Sequence, residues 1–214
     1  MRRCVDILAA IFFLIALSPL FPLISLIVIL DSPGNPFYGG WRAGKDGLRF
    51  RMWKFRTMVA NADRLGIAIT TRRDPRVTRT GWFLRKTKLD ELPQFVNLLT
   101  GDLTLVGPRP EDPAIASHYT SEQRQILKVK PGITGPTQIF YTVLESETIP
   151  EGPEAQEYYI NHILNQKIQM DLEYLKKRTT ISDLHIISQT VLLMARLSGK
   201  TQSPGQSKSV SNPS

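Results

Sequence analysis

The longest apolar stretch of the chain runs from Ile7 to Leu30, ILAAIFFLIALSPLFPLISLIVIL, and contains no charged residue. As one straight helix it would cross a hydrocarbon core of about 30 Å. Ser18-Pro19 and Pro22 fall in its middle, where a proline deletes a helical hydrogen bond and bends the chain. The pattern predicts two half-length helices, either a kinked span or a pair that enters and leaves the same leaflet, with the Ser18 hydroxyl covering freed backbone at the break. No small-residue cleavage pattern of a secretory signal follows. Asp31 to Pro36, DSPGNP, predicts a turn-rich exit. Leu48 to Trp53 then alternates apolar and basic residues, as a half-buried strand does, after a loop or hairpin marked by Gly39, Gly40, Gly44 and Gly47.

Further on, helical spacing takes over. Pro93 suits the first turn of a helix running to about Leu99, with Asp90 and Glu91 at its entrance; Thr87 as N-cap would instead place Asp90 inside the first turn. Glu122 to Lys130 predicts a short helix stopped by Pro131 and Gly132. Glu154 to Arg178 carries an apolar face of Tyr158, Ile160, Ile163, Ile168, Leu172 and Leu175, and Ser182 is a candidate N-cap for an amphipathic helix from Leu184 to Leu197. Ser198 to Ser214 has the Ser, Gly, Gln and Pro content of a disordered tail. The expected fold is α+β and mainly helical, in three parts: a membrane helix over 1–32, one small catalytic domain over 33–197 and a tail over 198–214.

Charge narrows the partners. Across 214 residues, 27 Lys and Arg face 19 Asp and Glu, a formal charge of +8, which favours anionic partners. Arg72, Arg73, Arg76, Arg79, Arg85, Lys86 and Lys88 share one stretch with a single acid, Asp74, and with Trp82, Phe83 and Leu84. Basic and apolar residues so interleaved suit a membrane surface; no nucleic-acid recognition module surrounds them, and no nucleic-acid partner is expected. The lone Cys4 excludes an internal disulfide framework, and His118, His162 and His185 form neither a Cys/His metal pattern nor a Ser-His-Asp arrangement. A magnesium site built from carboxylates is compatible with the sequence.

Candidate chemistry concentrates between Thr87 and Pro110, TKLDELPQFVNLLTGDLTLVGPRP. Adjacent carboxylates repel, so Asp90 and Glu91 together call for a proton, a divalent cation or nearby positive charge; the plainer alternative is a pair of first-turn helix acids. Prolines on both sides of Arg109 restrict its backbone and pre-order a guanidinium able to grip phosphate, where the alternative is a solvated turn arginine. Lys54 and Arg56, in KFRTM, are expected on one strand face, able to neutralise a diphosphate or simply to lie at a solvated edge.

The segment from Asp74 to Pro110, together with KFRTM at Lys54 to Met58 and PGITG at Pro131 to Gly135, closely resembles the bacterial sugar transferase family of monotopic phosphoglycosyl transferases. The resemblance extends over about residues 2–195. It implies an enzyme of the bacterial cytoplasmic membrane that moves a sugar 1-phosphate from a UDP-sugar to polyprenol (undecaprenyl) phosphate, releases UMP and so initiates glycoconjugate synthesis. It further implies a re-entrant helix broken at Ser18 and Pro19, with the catalytic domain on the cytoplasmic face. Asp90 would be the nucleophile and a ligand of Mg2+, Glu91 a base or a group that tunes Asp90, and Arg85, Arg109, Lys54 and Arg56 the phosphate-binding cations. PGITG would form a rigid, substrate-facing loop. Two departures stand out: Lys88 replaces the usual Ser before Leu-Asp-Glu, and after Gly135 the chain reads PTQIFYTV, which keeps Gln138 but lacks an evident downstream Gly-Arg. The sugar and the oligomeric state are not set by these residues. The rival classes are a glycosyltransferase releasing UDP and a non-catalytic basic protein of the membrane surface.

Overall fold

A computed structural model describes residues 2–62, 74–150, 152 and 154–199. Arg72, Arg73 and all of the expected tail beyond Gly199 lie outside the described residues.

The apolar start forms α1 (Arg2–Ala16) and α2 (Leu20–Asp31), bent by 65° between them. At the break the Ser18 hydroxyl donates to the Ile15 carbonyl at 2.8 Å. Pro22 does not add a second break: it lies in the first turn of α2, where backbone N–H groups have no helical partner anyway. Among the described residues no single helix is long and apolar enough to cross a membrane.

Both ends of this bent pair are fastened to one body. The Arg3 guanidinium donates to the Leu98 and Leu99 carbonyls at 2.6 and 2.7 Å, and buried Asp6 accepts from Thr104 Oγ1 at 2.9 Å and the Leu105 N–H at 3.0 Å. At the other end Asp31 accepts from the Thr80 N–H at 2.9 Å, and Arg56 donates to the carbonyls of Ser32 and Pro33. Phe13 stacks on Phe95 with ring centroids 4.8 Å apart, while Ile24 and Val28 pack with Phe55 and Leu84.

The expected strand is β2 (Arg49–Phe55), paired antiparallel with β1 (Phe37–Ala43). Gly39 and Gly40 belong to β1, and Gly44 and Gly47 to the turn between the strands. Next comes α3 (Arg79–Thr87), N-capped by Thr78, whose hydroxyl accepts from the Gly81 N–H at 2.9 Å. A Cβ at Gly81 would lie 2.0 Å from the Thr57 carbonyl oxygen, so only glycine lets α3 approach the end of the hairpin this closely. Thr87 ends α3 and does not cap the next helix; its hydroxyl donates back to Phe83 at 2.9 Å. That next helix, α4 (Gln94–Thr100), follows Pro93, so the reading with Asp90 and Glu91 at the entrance holds.

After α4, β3 (Thr104–Val106) pairs in parallel with β4 (Gly132–Thr134), pairing Thr104 with Gly132 and Val106 with Thr134. PGITG is therefore mostly strand and not the expected rigid loop. Its Gly132 is required by contact, since a Cβ there would fall 2.2 Å from the Gly107 nitrogen. Between these strands lie α5 (Pro113–Ala116) and a 3-10 turn over Gln123–Lys128, shorter than the predicted helix. The back half comprises α6 (Pro136–Thr148), α7 (Ala155–Tyr158), a π-helical turn over Tyr159–Ile163, α8 (Leu164–Lys176) and α9 (Thr180–Gly199). α9 starts earlier than predicted because Thr179 is its cap: Thr179 and Ser182 exchange side-chain to backbone hydrogen bonds of 2.9 and 3.0 Å. Helix α9 also includes Ser198 and Gly199, the first two residues of the expected tail. The largest core among the described residues gathers around Ile115, Tyr119, Ile163, Leu164, Ile168 and Leu172, between α5, the 3-10 turn, α6 and α8.

Gly81→Ala should force α3 off Thr57 and cost about 2–3 kcal/mol, a fall in Tm of roughly 5–10 °C in thermal unfolding of the detergent-solubilised protein.

Candidate active site

Lys88 takes a left-handed backbone, φ 58°, between α3 and a 3-10 turn over Leu89–Glu91. That reversal aims Asp90 into the protein, where it is 5% exposed, and sets Glu91 beside β2. Lys54, paired across the hairpin with Tyr38, reaches both acids: its Nζ donates to Glu91 Oε1 at 3.0 Å and lies 4.0 Å from Asp90 Oδ2. Asp90 Oδ1 is buried without a hydrogen-bond partner. An orphaned carboxylate oxygen in such a place is either a cost or a ligand atom.

The two carboxyls are driven apart in acidity. Burial, aided by the neighbouring Glu91, raises Asp90 above the ordinary carboxylate range, against the pull of Lys54, Lys88 and Arg85. Burial acts on Glu91 in the same direction, but Lys54, Lys88 and Arg109 together outweigh it and hold Glu91 well below its usual value. Lys54 is itself lowered by burial, with Glu91 and Asp90 restoring part of its charge preference. The 3.0 Å hydrogen bond from Lys54 Nζ makes Glu91 a group that fixes that lysine.

The expected phosphate-binding cations separate into two sets. Arg85 projects from α3, its Nε donating to Thr57 Oγ1 at 2.8 Å, with Asp90 and Asp74 among the charges acting on it. Arg109, in the turn leaving β3, acts electrostatically on both Lys54 and Glu91. Arg56 does not share a strand face with Lys54: it lies past the end of β2, with its guanidinium on the carbonyls that follow α2. The basic stretch is likewise not all surface, because Arg76 is buried and paired with Asp74 at 2.6 Å.

Three contributors carried no assigned site role in the sequence reading: Lys88, Thr57, which orients Arg85, and Asn97. Fully buried Asn97 accepts from the Trp53 N–H at 2.9 Å and donates to the Arg51 carbonyl at 2.7 Å, locking α4 to the strand that carries Lys54. An amide alone in the apolar run FVNLL was the available signal.

The sequence model for bacterial sugar transferase matches residues 1–196. The chain belongs to the bacterial sugar transferase family. It is 37% identical over 198 residues to a UDP-glucose:undecaprenyl-phosphate glucose-1-phosphate transferase of Escherichia coli (strain K12), covering 89% of this chain and 39% of that relative. Identity is 36% over 205 residues to the exopolysaccharide production protein ExoY of Sinorhizobium fredii, with 89% and 83% coverage. A UDP-N-acetylgalactosamine-undecaprenyl-phosphate N-acetylgalactosaminephosphotransferase of Aeromonas hydrophila is 34% identical over 195 residues, with 89% and 42% coverage. The chain thus spans well under half the length of two of these three relatives, and their names specify different sugars. In this family member the segments aligned with those relatives include the whole carboxylate and cation cluster.

The upward shift of the Asp90 carboxyl has a consequence for stability. A group whose folded value exceeds its unfolded one stabilises at low pH and loses that contribution as pH rises through the folded value. Asp90→Asn should therefore raise stability by on the order of 1 kcal/mol at neutral pH, with the gain shrinking toward acid pH, in thermal melts run without divalent cations.

Proposed function

We propose that this chain is a membrane-bound phosphoglycosyl transferase that moves a sugar 1-phosphate from a UDP-sugar to polyprenol phosphate, undecaprenyl phosphate by the names of its relatives, and releases UMP. The observation that carries the reading is Asp90: buried, with one oxygen unpartnered, and set among Lys54, Arg85 and Lys88, with Arg109 acting on the adjoining Glu91. In the first displacement an Asp90 oxygen attacks the sugar-bearing phosphorus and the bond to the bridging oxygen breaks, so UMP leaves and an aspartyl phosphosugar remains. In the second, a phosphate oxygen of the acceptor attacks the same phosphorus, which frees Asp90 and yields polyprenol diphosphosugar. Alkyl phosphates lose their second proton near pH 6, so the acceptor needs no base at neutral pH. Lys54, Arg85 and Arg109 stabilise phosphoryl charge, while Glu91 holds Lys54 in place.

Magnesium fits the donor set: the free Asp90 oxygen and the donor's diphosphate would hold it, with waters completing the shell, and it would offset charge repulsion as carboxylate nears phosphate. Arg56 has no part in this scheme.

The anchoring of α1 and α2 supports a re-entrant arrangement. A spanning segment would put Arg3 and Asp31 on opposite faces, whereas both bind the same domain, which fits a pair that enters and leaves one leaflet with Ser18 and Pro19 at its tip. The exposed apolar residues Leu8, Phe12, Leu26 and Leu30 meet lipid, and Trp82, Phe83, Leu184 and Val191 lie at the surface of the same membrane. Arg2 and Arg3 favour the cytoplasmic side, which places the catalytic domain on the cytoplasmic face of the bacterial inner membrane.

The test is the nucleotide released when purified protein meets magnesium, undecaprenyl phosphate and a panel of UDP-sugars. UMP with at least one donor, and loss of at least 1,000-fold in rate with Asp90→Asn, is expected. UDP would identify a glycosyltransferase, and covalent phosphosugar retained by Asp90→Asn would overturn the nucleophile. Vesicle binding without turnover of any donor would support a non-catalytic surface protein.

A further inference from the structure

Behind the Arg109 turn lies a second set of buried ionisable groups that the transfer chemistry does not use. Glu111, two residues after Arg109, accepts from Lys167 Nζ at 3.1 Å and from the Tyr159 hydroxyl, and Lys167 also donates to that hydroxyl at 2.6 Å. Lys167 is 5% exposed, and its ammonium stands 4.9 Å over the Tyr159 ring. One helical turn on, Asp171 accepts from the fully buried Thr137 hydroxyl at 3.1 Å, at the start of α6 and just past β4. The main chain of the turn is held on the same side: the Gly132 N–H donates to the Pro108 carbonyl at 2.8 Å and the Ala43 N–H to the Glu111 carbonyl at 2.9 Å.

The helix bearing Tyr159 and Lys167 is specially shaped for this. Eight residues apart on an unbroken α-helix, the two side chains would diverge by about 80°. The π-helical turn over Tyr159–Ile163 absorbs one extra residue and brings them to within roughly 20°, so both reach Glu111. Burying a lysine and a glutamate together adds little net stability over apolar packing of the same volume, so stability alone does not account for the cluster. Prolines 108 and 110 fix the local φ angles of the turn but not its direction from the body.

We infer that Glu111, Tyr159 and Lys167 are positioning residues that set the direction of the Pro108–Pro110 turn and thereby aim Arg109 at the donor diphosphate. The inference rests on the proposed phosphoryl role of Arg109. Tyr159→Phe removes one hydroxyl and keeps the ring, so it perturbs the cluster with little risk to folding.

Two measurements on the full chain in lipid nanodiscs test it. By hydrogen exchange, Tyr159→Phe should speed exchange of amides in residues 107–111 at least threefold while α4 is unchanged; protection equal to wild type would overturn the positioning role whatever the protein catalyses. In UMP-release kinetics, Arg109→Ala should lower kcat/KM about 100-fold and Tyr159→Phe about 10-fold, with the double variant no slower than Arg109→Ala alone. Multiplying effects would show that Tyr159 does not act through Arg109. An unchanged kcat/KM in Arg109→Ala would reject Arg109 as the group being aimed, and release of UDP would reject the transfer reading while leaving the exchange result to decide the clamp.

Discussion

One side-chain amide sets how far the carboxylates stand from their lysine. Asn97 supplies both an acceptor and a donor to the main chain of β2, at Trp53 and Arg51, and so gives helix α4 the hydrogen bonding of a neighbouring strand. Its Nδ2 also reaches Asp102 at 3.2 Å, which fixes the amide from the far side. Lys54 follows Trp53 directly, and Asp90 and Glu91 lie in the turn just before α4. The separations of 3.0 and 4.0 Å between Lys54 and the two acids therefore depend on a lock made of uncharged groups. Losing it would leave two buried backbone groups unpaired, each costing about 1–3 kcal/mol.

Within that frame, unequal charge pairing on top of shared burial gives two adjacent carboxyls opposite characters. Glu91 has the close partner, Lys54, and stays ionised; Asp90 has the burial and the unpartnered oxygen. Pairs of acids whose environments push them apart divide labour between a group that reacts and a group that organises charge. The arginines are graded in the same way. Arg85 faces the acids because Thr57 holds its Nε, whereas Arg76 is neutralised by Asp74 and Arg56 is held by backbone carbonyls.

Polar residues at the ends of the apolar segment bind it to the catalytic body. Arg3 takes the carbonyls that close α4, Asp6 takes a hydroxyl and an amide of β3, and Asp31 takes the first turn of α3. Helices α3 and α4 and strand β3 are thereby each hydrogen-bonded to one end of the bent helix pair. The placement of the apolar helix pair and the geometry of the site are linked through these few hydrogen bonds.

Much of this was legible in order along the chain. Alternation gave β2, the interrupted apolar run gave the helix break at Ser18, and the acids before Pro93 were placed at a helix entrance. Each of these depends on neighbours in sequence, where period and proline geometry act directly. Two of the misreadings involve distant partners, and a third is a local exchange of cap and partner. Arg56 was grouped with Lys54 because both sit in KFRTM, yet its partners are carbonyls 23 and 24 residues earlier. PGITG, by resemblance a rigid, substrate-facing loop, is mostly strand, and its glycines are there because Gly107 packs against them. Ser182 looked like a cap, whereas the cap is Thr179 and Ser182 returns the bond. By itself the sequence determined the family, the break in the apolar N-terminal helix and the candidate carboxylates and cations, because those reside in local spacing and residue type. Only the tertiary structure decided which cations meet Asp90, that Glu91 is held ionised by Lys54, and that a buried cluster backs the Arg109 turn, because burial and charge pairing are properties of residues that the fold alone brings together.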